Sequence, residues 1–202
     1  LVEQLSPMDI PTQKIGRQAK VRVPGGADRK VLCIQWQKAL EEVMRIIQEA
    51  KDKAVEEGTP LEMIETFEKA LAVIDMSGSM VSAGVMAKAL GLGIMCSELS
   101  TLKDVAIAFS EEPSLIDLSG CTDVVDKFVK VLCSPWGYST DADKVYQKVI
   151  EISQTAQVAA GAPSITPFLP GAVLMLTDGQ FNSMCPSLGN KTLLQRCDAH
   201  LQ

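Results

Sequence analysis

Aromatic side chains make up only 4% of the 202 residues and the chain has a single histidine, His200. So few rings exclude a platform on which several bases stack. One imidazole leaves little for a zinc centre, and none of the six cysteines (Cys33, Cys96, Cys121, Cys133, Cys185, Cys197) stands in C-x-x-C spacing. Cys96 and Cys133 fall on apolar helical patterns and read as small core side chains, so reduced thiols in an intracellular protein are expected. There is no excess of basic charge either: 19 Lys and Arg face 25 Asp and Glu, a net charge of −6. Phosphate backbones and acidic lipids reward the opposite sign, which argues against a general nucleic-acid or membrane-surface binder. No apolar run is long and unbroken enough to span a bilayer, because Gln154, Gln157, Pro163, Pro167 and Pro170 interrupt the uncharged stretch from Ser153 to Thr177. A G-x-S-x-G elbow and a G-x-x-x-x-G-K-[ST] phosphate loop are both missing, so no enzyme activity is expected.

Hydrophobic residues are plentiful, at 47%, and their patterning carries the fold. Residues 1–30 read as an irregular segment with a loose basic cluster, Lys14, Arg17, Lys20 and Arg22. A helical pattern follows over 31–66: Trp36, Leu40, Val43, Met44, Ile47 and Ala50 recur at three- and four-residue steps, and Gly58-Thr59-Pro60 ends the helix. Over 67–202 short apolar runs alternate with helical patterns. Ala70–Ile74, Val105–Phe109, Ser114–Leu118 and Ala172–Leu176 read as strands. Val81–Leu99 reads as one buried helix, and amphipathic helices run through Val124–Leu132 and Val145–Ser153. This order predicts an α/β fold with a mostly parallel sheet, and the turn at Glu111-Glu112-Pro113 is short enough to join one antiparallel pair at an edge.

Ligands of open α/β sheets bind beyond the carboxyl ends of the strands. There the sequence places Asp75-Met76-Ser77-Gly78-Ser79, then the loop from Trp136 to Asp141, then Thr177-Asp178-Gly179. Three segments thus deliver hydroxyl and carboxylate oxygens, the donors that Mg²⁺ and other hard dications such as Mn²⁺ or Ca²⁺ select. Taken singly, Ser77, Ser79, Thr140 or Asp141 could each cap a helix, and Asp178-Gly179 could be a plain turn.

The string Ile74 to Met80 (IDMSGSM), Thr140, and Leu176 to Gly179 (LTDG) together resemble the von Willebrand factor A domain and its metal-ion-dependent adhesion site. Within that resemblance Asp75, Ser77 and Ser79 match the Asp-x-Ser-x-Ser ligands, Thr140 the loop threonine and Asp178 the later aspartate. The family commonly reads Gly-Gly-Thr in the second loop, so Ser139 rivals Thr140 here. Within residues 34–181, the segments SELSTLKDVAIAFSEEPSL (97–115) and SPWGYSTDADKVYQKV (134–149) are also similar to a family of uncharacterised plant and giant-virus proteins, loosely related to the Ro (TROVE-type) RNA-binding proteins, in which a helical region precedes an A domain. The resemblance implies a Rossmann-like sheet with helices on both faces, here incomplete toward the C-terminus. The sequence starts at Leu1 without an initiator Met, so both ends are expected to be cut from a longer polypeptide. The resemblance also implies a bound Mg²⁺ that accepts an Asp or Glu carboxylate from a partner protein, and with the reduced thiols an intracellular, cytoplasmic assembly is expected. Two alternatives stay open: an RNA-binding ribonucleoprotein component that uses the upstream region, and a scaffold subunit with a vestigial metal site.

Overall fold

A computed structural model of the chain describes residues 23–109, 112–135, 142–165 and 168–179. Its elements run α1 (Gly26–Glu56), α2 (Glu62–Glu68), β1 (Ala70–Asp75), α3 (Gly78–Ser82), α4 (Met86–Leu99), β2 (Val105–Phe109), β3 (Ser114–Asp117), α5 (Val124–Leu132), α6 (Ala142–Ala160) and β4 (Ala172–Leu176). The four strands form one sheet in the order β3-β2-β1-β4. β1 pairs in parallel with both β2 and β4, while β3 runs antiparallel to β2. This is the mixed α/β architecture expected from the sequence, with its single antiparallel strand at the edge.

The period-two alternation of the strands divides the core between the sheet's two faces. Ala72, Ile74, Ala106, Ala108 and Ile116 pack with Trp36, Leu90, Ile94 and Phe128 from α1, α4 and α5. Leu71, Val73, Ile107 and Phe109 pack on the other side with Val145 and Val149 of α6. The three alanines keep the first face shallow, so α4 lies close against it. A Cβ placed on Gly93 would stand 2.5 Å from Ile74 Cδ1 and 3.2 Å from Leu176 Cδ1. Gly93→Ala is therefore expected to overpack the core and cost about 1–3 kcal/mol. Urea unfolding measures it, and an unchanged midpoint would show that α4 does not seat this closely.

Helix α1 begins five residues before the end of the segment read as irregular, a correction to that boundary. Its first turns are held from outside. Arg29 donates to both carboxylate oxygens of Asp123 (2.7 and 2.8 Å) and to Asp126 (2.5 Å), and Trp36 Nε1 donates to Glu98 (2.7 Å). Asp123 is also the cap of α5, accepting from the amides of Val125 and Asp126. The Arg29 hydrogen bonds hold its carboxyl below the ordinary aspartate range. The apolar stripe of α1 is buried at Leu32 and Trp36 but fades along the helix: Met44 is 57% exposed and Ala50 is exposed. Gly58 ends the helix as expected, with Gly58 and Thr59 donating back to Val55 and Ala54. Lys51 of α1 then pairs with Glu68 of α2.

The stretch Val81–Leu99 is two helices, not one. Gly84 adopts φ +68°, Gly84 N–H donates to Val81 and Val85 N–H to Met80, the paired bonds of a left-handed helix stop. The break lets α3 stay a single short turn directly after β1 while α4 crosses the sheet. β4 is half-buried along its length, because among the described residues it is an edge strand.

Among the described residues no helix is long and apolar enough to cross a membrane.

Candidate metal centre

The strand order sets the position of the site. From β1 the chain moves to β2 on one side, and much later returns to β4 on the other, so the carboxyl ends of β1 and β4 flank the point where the winding reverses. A crevice opens at such a point in α/β sheets. Asp75 is the last residue of β1, and Ile74 pairs in register with Leu176, which brings Thr177 alongside Asp75.

Asp75 is fully buried, and both of its oxygens are engaged. Oδ1 accepts the Ser77 amide at 2.8 Å, and Oδ2 accepts the Thr177 hydroxyl at 2.7 Å. The first bond closes a turn that brings the chain from the strand into α3. Ser77, itself only 3% exposed, occupies the N-cap position of α3, yet its side chain makes no capping hydrogen bond. Its hydroxyl instead lies 2.9 Å from that of Ser79. The capping role that each serine could have filled alone is therefore not what fixes Ser77 here.

On the neighbouring strand end, Thr177 Oγ1 also accepts the Gly179 amide at 3.1 Å, and the Asp178 amide contacts Met80 Sδ at 3.1 Å. The second of these ties the β4 end to the base of α3, since Met80 is buried in the core under that turn. Oδ2 of Asp178 is sealed from solvent. The structure thus brings together Asp75, Ser77, Ser79 and the Thr177-Asp178 segment. Thr140 and its rival Ser139 lie outside the described residues, as does the rest of the loop from Trp136 to Asp141. The basic residues Lys14, Arg17, Lys20 and Arg22 lie outside them too, with His200, Cys185 and Cys197.

Thr177 is the participant that sequence reasoning passed over. It was visible only as the residue before Asp178; the in-register pairing of β1 with β4 is what gives it a role.

The donor set fits a hard dication by its chemistry. Every side chain gathered here offers oxygen, the donor type that Mg²⁺ and similar cations select. The Ser77 and Ser79 hydroxyls are hydrogen-bonded to each other at 2.9 Å. Among the described residues no group of three or more Asp, Glu, His or Cys side chains is arranged to hold a metal ion, so a cation at this rim would depend on hydroxyls as well as carboxylates.

Residues 69–166 match the model of a domain of unknown function, DUF7788. The matched span includes Asp75, Ser77, Ser79 and Thr140 and stops before β4. No curated protein and no solved structure matches the chain.

Proposed function

We propose that this chain is a metal-dependent protein-interaction module similar to the von Willebrand factor A domain. Asp75, Ser77 and Ser79 hold a hard dication, Mg²⁺ in the first instance, with Thr140 and Asp178 completing its surroundings. When bound, the cation supplies an electrophilic centre that takes up an Asp or Glu carboxylate of a partner protein. The chain's own residues prepare for this. Two hydroxyls in place of further carboxylates keep the local negative charge low, so an incoming acidic group is not repelled. The short α3 turn and the pairing of β1 with β4 hold the donors on two rigid strand ends.

What supports the reading most is one juxtaposition: buried Asp75, the Ser77–Ser79 hydroxyl pair and Thr177-Asp178 meet at the reversal point of the sheet. An intracellular, cytoplasmic setting goes with this reading. The reading is of a binding module without catalysis.

Titration with Mg²⁺ by calorimetry, with Mn²⁺ followed by electron paramagnetic resonance as a second probe, tests the cation. One-site binding that EDTA reverses is expected. A Glu-bearing peptide is then expected to bind only the cation-loaded protein, and its Gln counterpart not at all. Absence of cation binding would sink the proposal, and peptide binding that ignores EDTA would remove the metal–carboxylate link.

A further inference from the structure

The Asp75 carboxylate has two oxygens, each with two acceptor positions. The Ser77 amide takes one position on Oδ1, and that bond comes with the turn into α3. Nothing in the local chain of β1 fixes Oδ2. The group that does so is Thr177, 102 residues later, which donates its hydroxyl at 2.7 Å while its own oxygen is held by the Gly179 amide at 3.1 Å. Gly179 has φ +77°, a conformation that lets the backbone fold back so this amide reaches Thr177 Oγ1. The result is a chain of two hydrogen bonds, Gly179 N–H to Thr177 Oγ1 and Thr177 O–H to Asp75 Oδ2. It defines the rotation of a carboxylate that is entirely out of water.

We infer that Thr177 is a positioning residue for the cation site: its hydroxyl fixes the rotation of the Asp75 carboxylate, the anionic member of the Asp75, Ser77 and Ser79 donor set. This rests on the cation reading given above, and it goes beyond it by assigning a role to a residue outside the ligand set. Groups that hydrogen-bond to metal ligands from behind set ligand orientation, and their loss weakens metal binding about 10–100-fold. Valine matches the shape of threonine without the hydroxyl, and serine keeps the hydroxyl without the methyl group.

The test is Mg²⁺ titration by calorimetry on wild type, Thr177→Val, Thr177→Ser and Asp75→Asn, each also melted in EDTA. Thr177→Val is expected to bind Mg²⁺ at least about tenfold more weakly, with Thr177→Ser within about threefold of wild type. In EDTA, Thr177→Ser and wild type should melt alike. Should Thr177→Val fail to fold, the serine variant and Thr177→Ala decide the matter, since only the one with a hydroxyl should bind well. Wild-type affinity in Thr177→Val, or serine binding no better than valine or alanine, overturns the role of Thr177 while leaving the cation site standing. Unaltered binding in Asp75→Asn, or no binding in wild type, overturns the site itself.

Discussion

Asp75→Asn is expected to abolish the gain in melting temperature that Mg²⁺ gives the wild type, yet to leave the cation-free protein about as stable as before. Asp75 is fully buried, and its hydrogen-bond donors, the Ser77 amide and the Thr177 hydroxyl, are neutral. Among the described residues it forms no ion pair. Enclosing a carboxylate on such terms costs free energy that a neutral amide of the same shape does not. Against that gain, the Asn NH₂ cannot accept the Thr177 proton, a loss of about 1 kcal/mol. The two terms nearly cancel without metal. With metal they do not, because an amide oxygen replaces the anionic ligand. At Mg²⁺ near 100 times its dissociation constant the wild type gains about 2.7 kcal/mol. For a chain of this size that is ~5–10 °C in melting temperature. Thermal melts with Mg²⁺ and with EDTA measure both halves of the expectation. If Asp75→Asn kept the full Mg²⁺ increment, the carboxylate would not be a ligand.

Lys127→Met is expected to be among the most damaging single changes to stability, although it lies outside the candidate site. Lys127 of α5 donates to Glu98 Oε1 of α4 at 2.6 Å and to Asp104 Oδ1 at 2.5 Å, with all three side chains less than 20% exposed. Glu98 spends its other oxygen on Trp36 Nε1, so one ammonium joins α1, α4, α5 and the turn into β2. Asp104 has φ +61°, the one left-handed residue other than glycine among those described, and its carboxylate is part of what holds it there. Met keeps the packing of the lysine stem and removes the charge, leaving two carboxylates facing each other. Breaking a fully buried pair costs about 3–5 kcal/mol, and here a cavity of ≈ 430 Å³ borders the group and admits solvent, so about 2–3 kcal/mol is expected. Urea unfolding measures it; a loss under about 0.5 kcal/mol would place Lys127 with ordinary surface pairs. The same network has an alkaline limit. Burial alone would lower the Lys127 value, but the hydrogen bonds with Asp104 and Glu98 outweigh it and raise it above that of a free lysine. Its contribution is therefore complete below about pH 10.4 and fades as pH rises through the higher folded value.

The strands were the legible part of this fold. Continuous runs such as ALAVI and VAIAF can be buried on both faces only within a sheet covered by helices, and all four strands lie within one residue of their expected ends. Helix boundaries were less legible. Residues 1–30 read as irregular, but Arg29 reaching Asp123 goes with a helix that already starts at Gly26, and Asp123 is 94 residues away in sequence. The break at Gly84 was hidden because Met80, Val81, Val85 and Met86 keep an apolar helical spacing across it. At the candidate site, Asp75, Ser77, Ser79 and Asp178 could be picked out because they lie at or just beyond the carboxyl end of a strand. Thr177 does so too, but its importance comes from the register between β1 and β4, which no local pattern encodes. The Trp36–Glu98–Lys127–Asp104 network was illegible for the same reason: each member comes from a different segment.

The bond between Asp75 and Thr177 joins two residues 102 positions apart, and β4 is laid against β1 only after β2, β3, α5 and α6 have been synthesised. A chain that stops short of β4 lacks the Thr177 side of that bond. Any ligand that needs both strand ends must wait for β4 to dock, so its capture separates chains that carry β4 from shorter ones.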